Sequence, residues 1–244
     1  MKVKLLITAT LVLIIVGIIT TTSQSQKQFN QQLLELEEKE KLGTIKLKER
    51  VRLAKAKGQT RIQGSGMVSL YPVARTPEEL NQLLDKYTIV VAQPIAEKGY
   101  VDNSENIRSW QKFKILEMLS QALPLPSFVS LTVPEELSPI KDDEFVIHRE
   151  GGRVTIDGVE VTGSEENIPE LKKSRKYLLL LSLNPSTRVA QLVLGPQSIL
   201  PVKSNDILDP QSGHILGYVL ETFHGNSLSK LKVNLKERST HKLP

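Results

Sequence analysis

In Arg153–Val161 (RVTIDGVEV) the pair Asp157-Gly158 stands between two alternating runs. A two-residue hairpin needs positive φ at both central positions to match the twist of its strands, and Asp-Gly supplies it. This commits the chain to antiparallel β structure at that point. The neighbouring segments extend the commitment. Thr88–Ala96 (TIVVAQPIA) reads as a strand that is apolar on both faces over Ile89–Ala92, hence central. A polar turn around Gly99–Asn106 leads to Ile107–Leu119, which carries Trp110, Phe113 and Ile115. Glu144–Arg149 (EFVIHR), Lys176–Leu183 (KYLLLLSL), Arg188–Leu194 (RVAQLVL) and Ile199–Val202 complete the set, with a turn at Asn184-Pro185-Ser186. Four prolines in Ala122–Pro139 exclude a central strand there, so that stretch is expected to cross the surface.

Helices are expected at both ends of the strand series. Thr76-Pro77-Glu78-Glu79 combines a Thr cap, Pro in the first turn and Glu three residues after the cap. Ser227–Arg238 puts Leu228, Leu231 and Leu235 on one face. Five to seven strands in consecutive hairpins predict a mainly β (α+β) fold, either a curled antiparallel sheet or an OB-like barrel with flanking helices.

There is no cysteine, so disulfides, thiolate metal sites and cysteine nucleophiles are excluded. The net charge of +5 is unevenly placed: residues 27–61 hold ten Lys/Arg against five Glu, whereas residues 62–244 hold 20 basic and 22 acidic residues. A body with a slightly acidic balance argues against nucleic acid as a partner.

Lys2 and Lys4 precede Leu5–Ile19, fifteen uncharged residues extended by Thr20–Thr22. Spanning the hydrocarbon takes about 20 apolar residues, with a range of about 17–25. Thr21-Thr22-Ser23 is a poor cleavage site. The expectation is an uncleaved transmembrane signal anchor over 1–23, its lysines cytoplasmic and the remainder outside. Cleavage and secretion is the alternative. Residues 24–66 are expected to form a charged helical stalk and linker, interrupted at Gly43. Ile45, Leu47, Val51 and Leu53 also fit alternation, which leaves a strand open there. Gly58–Gly66 reads as a flexible break. A β-rich domain over 67–238 and a tail over 239–244 follow.

The series IVVAQPI, WQKFKILEML, FVIHREGGRVTIDGVEV, KYLLLLSL and VAQLVLGPQSILPV is similar to a set of uncharacterised bacterial exported proteins, over roughly Leu80–Leu231. Gly151–Val161 and Tyr177–Leu181 carry most of it. The strand logic also loosely resembles the OB-like barrel of netrin and tissue-inhibitor-of-metalloproteinase domains, which depend on cysteines that this chain lacks. The resemblance implies a fold and an export route. It implies no activity and no catalytic residue.

Candidate chemistry is sparse. His148, His214, His224 and His241 have no metal-ligand spacing. Gly64-Ser65-Gly66 lacks the spacing of a serine-nucleophile turn, and Gly151-Gly152 precedes no helix that would complete a phosphate cradle. Asp142-Asp143-Glu144, Ser164-Glu165-Glu166, and Asn205, Asp206 and Asp209 with Gly213 are acidic stretches without a calcium-loop pattern. No catalytic, cofactor-binding or metal residue is assigned, and no cofactor. The reading is a non-enzymatic binding or scaffolding domain tethered at the cell envelope, its partner a membrane and an unidentified protein. An unrecognised enzyme and an oligomerising assembly component are the alternatives.

Overall fold

The computed structural model describes residues 26–64, 76–122, 132–163, 171–208 and 227–241. The chain divides into two compact units, Met1–Ile62 with Thr155–Glu160, and Gln63–Val154 with Val161–Pro244.

In the first unit, α1 (26–41) and α2 (Leu47–Ala56) form an antiparallel helical hairpin rather than one extended stalk. Gly43 adopts φ +68°, and the N–H of Thr44 returns to the Lys39 carbonyl at 3.0 Å. This is a glycine helix stop, which satisfies carbonyls left open at the end of α1. Lys39 meets Glu49 at 2.8 Å, and Lys57 meets Glu37 at 3.1 Å. The segment open to strand or helix is α2. Its apolar residues Leu47, Val51 and Ala54 recur at helical spacing and are buried. The stretch expected to be a flexible break is instead partly structured: β1 (Arg61–Gln63) is the edge of a three-stranded sheet whose other strands, in order, are Val159–Gly163 and Gly152–Ile156.

The second unit is mainly β, with a closed five-stranded barrel. Helix α3 (Pro77–Lys86) starts where expected, Thr76 Oγ1 accepting from the Glu79 N–H at 3.2 Å. β2 (Thr88–Val101) and β3 (Ile107–Ser120) form a long hairpin. β4 (Glu144–Glu150), β5 (Gly152–Ile156), β6 (Val159–Gly163), β7 (Lys176–Leu183), β8 (Val189–Leu192) and β9 (Ile199–Val202) follow. Asp157 and Gly158 both have positive φ, as the hairpin demands.

The six-stranded sheet has the order β2-β3-β4-β8-β7-β9, and β2 also pairs with β7, which closes the barrel β2-β3-β4-β8-β7. Within that closed barrel the pairings are antiparallel except β4 with β8, which is parallel. Closure needs curvature, and β2 supplies it through three register shifts, the last between Pro94 and Ala96. Pro94 is tolerated because the β2–β7 ladder covers only Thr88–Ala92.

After the exposed Lys176, the run KYLLLLSL is buried on both faces. Tyr177, Leu179, Leu181 and Leu183 face a cluster with Val90, Ala92, Phe113, Phe145, Ile147 and Ala190, drawn from all five barrel strands. Leu178 and Leu180 face the other way, toward Leu84 of α3 and toward Leu228, Leu231 and Leu235 of α4 (Leu228–His241). Fully burying one such side chain is worth about 1.5–3 kcal/mol, so β7 is the element on which both layers depend.

Beyond the barrel, β5 crosses the extended end of the β2–β3 hairpin. A Cβ on Gly99 would lie 1.7 Å from the Arg153 carbonyl oxygen. Any side chain at Gly99 would force the two strands apart.

Candidate functional site

His148, from β4, lies on the outer face of β3 and β4. Its Nε2 is 2.6 Å from the hydroxyl of Tyr100, and its ring packs 5.0 Å from that of Trp110. Burial holds His148 below the ordinary histidine range, and the Arg108 charge pushes the same way. Burial raises the Tyr100 phenol. The pair therefore shares one hydrogen bond between neutral groups at neutral pH. Arg108 bridges Asp102 at 2.7 Å and Glu150 at 3.0 Å. Burial raises Glu150. Burial also pulls Asp102 upward, but hydrogen bonds from the Asn106 and Ser104 N–H groups and from Arg108 prevail and lower it. Above this seam sit Trp110, Val146, Leu137, Val133 and Ile140, the last three from the stretch 133–140 that precedes β4. Tyr100, His148, Arg108 and Asp102 bond to one another under this apolar cover, as does Glu150 through Oε1, while the buried Glu150 Oε2 has no partner among the described residues.

The acidic stretch Asp142-Asp143-Glu144 is divided among separate contacts. The Asp142 carbonyl accepts from Arg188, Asp143 lies 3.7 Å from Lys114, and Glu144 lies 2.7 Å from Lys112. The hydrogen bond from Lys112 holds Glu144 below the usual carboxylate range. Gly151-Gly152 is the turn into β5, with the Gly151 N–H bonded to the Ile107 carbonyl at 2.8 Å. Among the described residues, no three of His, Asp and Glu converge as a metal set. Ser65 and Gly66, Ser164-Glu165-Glu166, Asp209, Gly213, His214 and His224 lie outside the described residues. His241 closes α4.

Sequence reasoning missed a basic groove of about 510 Å³ at the N-terminal end of β7, lined by Ser174, Arg175, Lys176, Pro201, Lys203 and Asn205 among others. Lys172 and Lys173 flank it, so five cations stand here against one lining carboxylate, Asp206. The loop is fixed from beneath. The Lys172 N–H donates to the hydroxyl of Tyr177 at 2.9 Å, and Gln93 Nε2 donates to the Lys173 carbonyl. The opposite wall is a turn in which Asn205 and Asp206 both have positive φ and the Lys203 N–H reaches the Ile207 carbonyl at 2.7 Å. The signal was present as the run LKKSRK. The nearly neutral sum over the body concealed it.

In the first unit, a second groove of about 520 Å³ runs between α1 and α2, lined by Phe29, Leu33, Leu36, Lys39, Glu49 and Arg52 among others. Phe29, Leu34 and Leu42 of this unit are exposed.

No protein-family model, curated protein or solved structure matches the chain. Among the described residues no helix is long and apolar enough to cross a membrane. The segment Leu5–Ile19, on which the anchor expectation rests, lies outside them.

Proposed function

We propose that the chain is a membrane-tethered, extracytoplasmic binding domain built on an OB-type barrel, and that it is not an enzyme. The barrel strands run first, second, third, fifth, fourth around the closed sheet, with third and fifth parallel. That Greek-key arrangement supports the OB assignment. The observation that carries the binding reading is the filled interior. Phe113, Phe145, Tyr177 and Leu179 are all under 2% exposed, so a ligand meets the outside of the barrel. Around His148, the Tyr100 hydroxyl and the Arg108–Asp102 pair are held in internal contacts, which favours binding over catalysis. The tether rests on Lys2, Lys4 and the uncharged run from Leu5.

Carbonate extraction of membranes carrying the full chain tests the tether, together with the N-terminus of the mature protein and protease access from the outer side. The expected result is retention in the pellet, an intact N-terminus and digestion of the body from outside. A mature chain starting near Ser23 and released by carbonate overturns the tether and leaves a secreted protein. Hydrolysis of an ester, glycoside or peptide substrate that is abolished by one polar-to-Ala change overturns the non-enzymatic reading.

A second reading, an oligomerising assembly component, is favoured by one observation: Phe29, Leu34 and Leu42 stand 50–70% exposed on the helical unit. Light scattering of the full chain in detergent decides it, since a monomer at high concentration removes the reading.

A further inference from the structure

We propose that the basic groove at the foot of β7 and β9 binds the phosphate group of an anionic ligand. The inference rests on the binding reading above and is independent of the tether.

The charges here differ from six cations on the barrel strands and the helix packed on them. Lys98, Arg108, Lys112, Lys114, Arg149 and Lys232 each lie within 4 Å of a carboxylate. Lys173, Arg175 and Lys176 have no ion pair among the described residues, and all three are exposed. Clustering like charges costs free energy unless an anion is brought in. The groove is concave, and its volume falls in the range of about 300–1,000 Å³ typical of small-ligand sites.

The cations are also held in place. Lys176 pairs with Val202 in the β7–β9 ladder, and Lys203 follows directly. The Tyr177 hydroxyl and the Gln93 amide fix the Lys172–Arg175 loop to the barrel. A loop ordered before binding loses less entropy on binding. Arg175 offers a planar fork matched to phosphate oxygens, with Lys176 and Lys203 as point charges around it.

A nucleic acid is the poorer fit. Single-strand binding adds stacking platforms to a basic track, and among the described residues no exposed aromatic lines this groove; Tyr177, beside it, is 1% exposed.

The test is calorimetric titration of the full chain in nonionic micelles at low salt. The probes are pyrophosphate, dihexanoyl phosphatidylglycerol, dihexanoyl phosphatidylcholine and a short single-stranded oligothymidylate. Binding of pyrophosphate with no response to phosphatidylglycerol indicates a soluble phosphate ligand. Binding of phosphatidylglycerol but not phosphatidylcholine indicates a lipid headgroup. Either outcome supports the proposal. R175E/K176E/K203E, which removes three exposed charge contacts and puts three repulsions in their place, is expected to weaken the binding by about tenfold. R175Q/K203Q, which adds no repulsion within the fold, should weaken it severalfold. K48E/R52E/K55E, which reverses three exposed charges in the first unit, should leave it unchanged. Thermal melting checks that each variant is folded. No binding of either phosphate probe, equal losses in the two triple variants, or tighter binding of the oligothymidylate overturns the proposal.

Discussion

The hydroxyl of Tyr177 accepts a hydrogen bond from the backbone N–H of Lys172 at 2.9 Å. Tyr177 belongs to the barrel interior, packed with Phe113 and Phe145, whereas Lys172 opens the basic loop. One phenol therefore joins the core to the surface groove.

Tyr177→Phe separates those two functions. The ring stays and the hydrogen bond goes, so stability should fall by about 1 kcal/mol, the usual net worth of such a bond. No charge is lost from the groove. A severalfold loss of pyrophosphate affinity in the same variant would then report the loop's order alone. Denaturant unfolding and calorimetry on one sample check both. Unchanged affinity alongside the expected stability loss would show that the loop keeps its place without Tyr177.

The strands were legible because their signals are local. The positive-φ pair Asp157-Gly158, the cap at Thr76 and the two-faced apolar run of β7 each depend on a few adjacent residues. What sequence could not deliver was long-range. The parallel contact of Val146 with Val189 and Ile147 with Ala190 closes the barrel between residues over forty positions apart, and no periodicity announces it. The return of α2 onto α1 was marked by Gly43, but the ion pairs that hold the hairpin follow from the turn and cannot be read before it. The basic groove was hidden for a different reason. Its cations come from two stretches, 172–176 and 203, and a charge balance summed over the whole body averages them away.

His148 should make stability fall on mild acidification. Its folded-state pKa is lowered, first by burial and then by Arg108. Above its unfolded value of about 6.5 both states are neutral. As pH falls through that value, the unfolded chain takes up a proton that the folded chain resists, and stability declines until the folded pKa is reached. Glu150 acts with the opposite sign. Its raised pKa contributes stability below about pH 4.5, and that contribution is lost as pH rises through the folded value. Melting temperatures between pH 7.5 and 5.5 should drop more steeply in E150Q than in E150Q/H148F. Parallel slopes would remove His148 from the account.

Lys112 and Glu144 form a pair at 2.7 Å with side chains 12% and 8% exposed. Glu144 also accepts from the Lys141 N–H at 3.1 Å, and Lys112 also donates to the Pro139 carbonyl at 2.8 Å. K112M strands a buried carboxylate and should cost about 3 kcal/mol. K112M/E144L removes the stranded charge and should recover most of that loss. The lowered Glu144 pKa gives a second readout. Its contribution is full above the unfolded value of about 4.5 and is lost as pH falls through the folded value, so acid sensitivity should diminish in the double variant. Equal stability of the single and double variants would show that solvent reaches the pair.

Ser109 is fully buried on the strand that also carries Gln111 and Phe113, and its Oγ has no hydrogen-bond partner among the described residues. A Cβ on Gly152 would come within 2.5 Å of it, so β5 packs directly over this position. A buried hydroxyl without a partner loses its hydration and gains nothing in return, a cost of about 1–3 kcal/mol. Ser109→Ala removes that cost while changing the volume by one oxygen. The variant should be at least as stable as the unmodified chain, and more stable by up to about 1 kcal/mol if no water reaches the site. Ser109→Val, which adds volume against Gly152, should be destabilised by about 1–3 kcal/mol. Denaturant midpoints at constant m-value distinguish the two. A clear loss of stability in Ser109→Ala would mean that the hydroxyl is satisfied by a bound water, and that β5 leaves room for one.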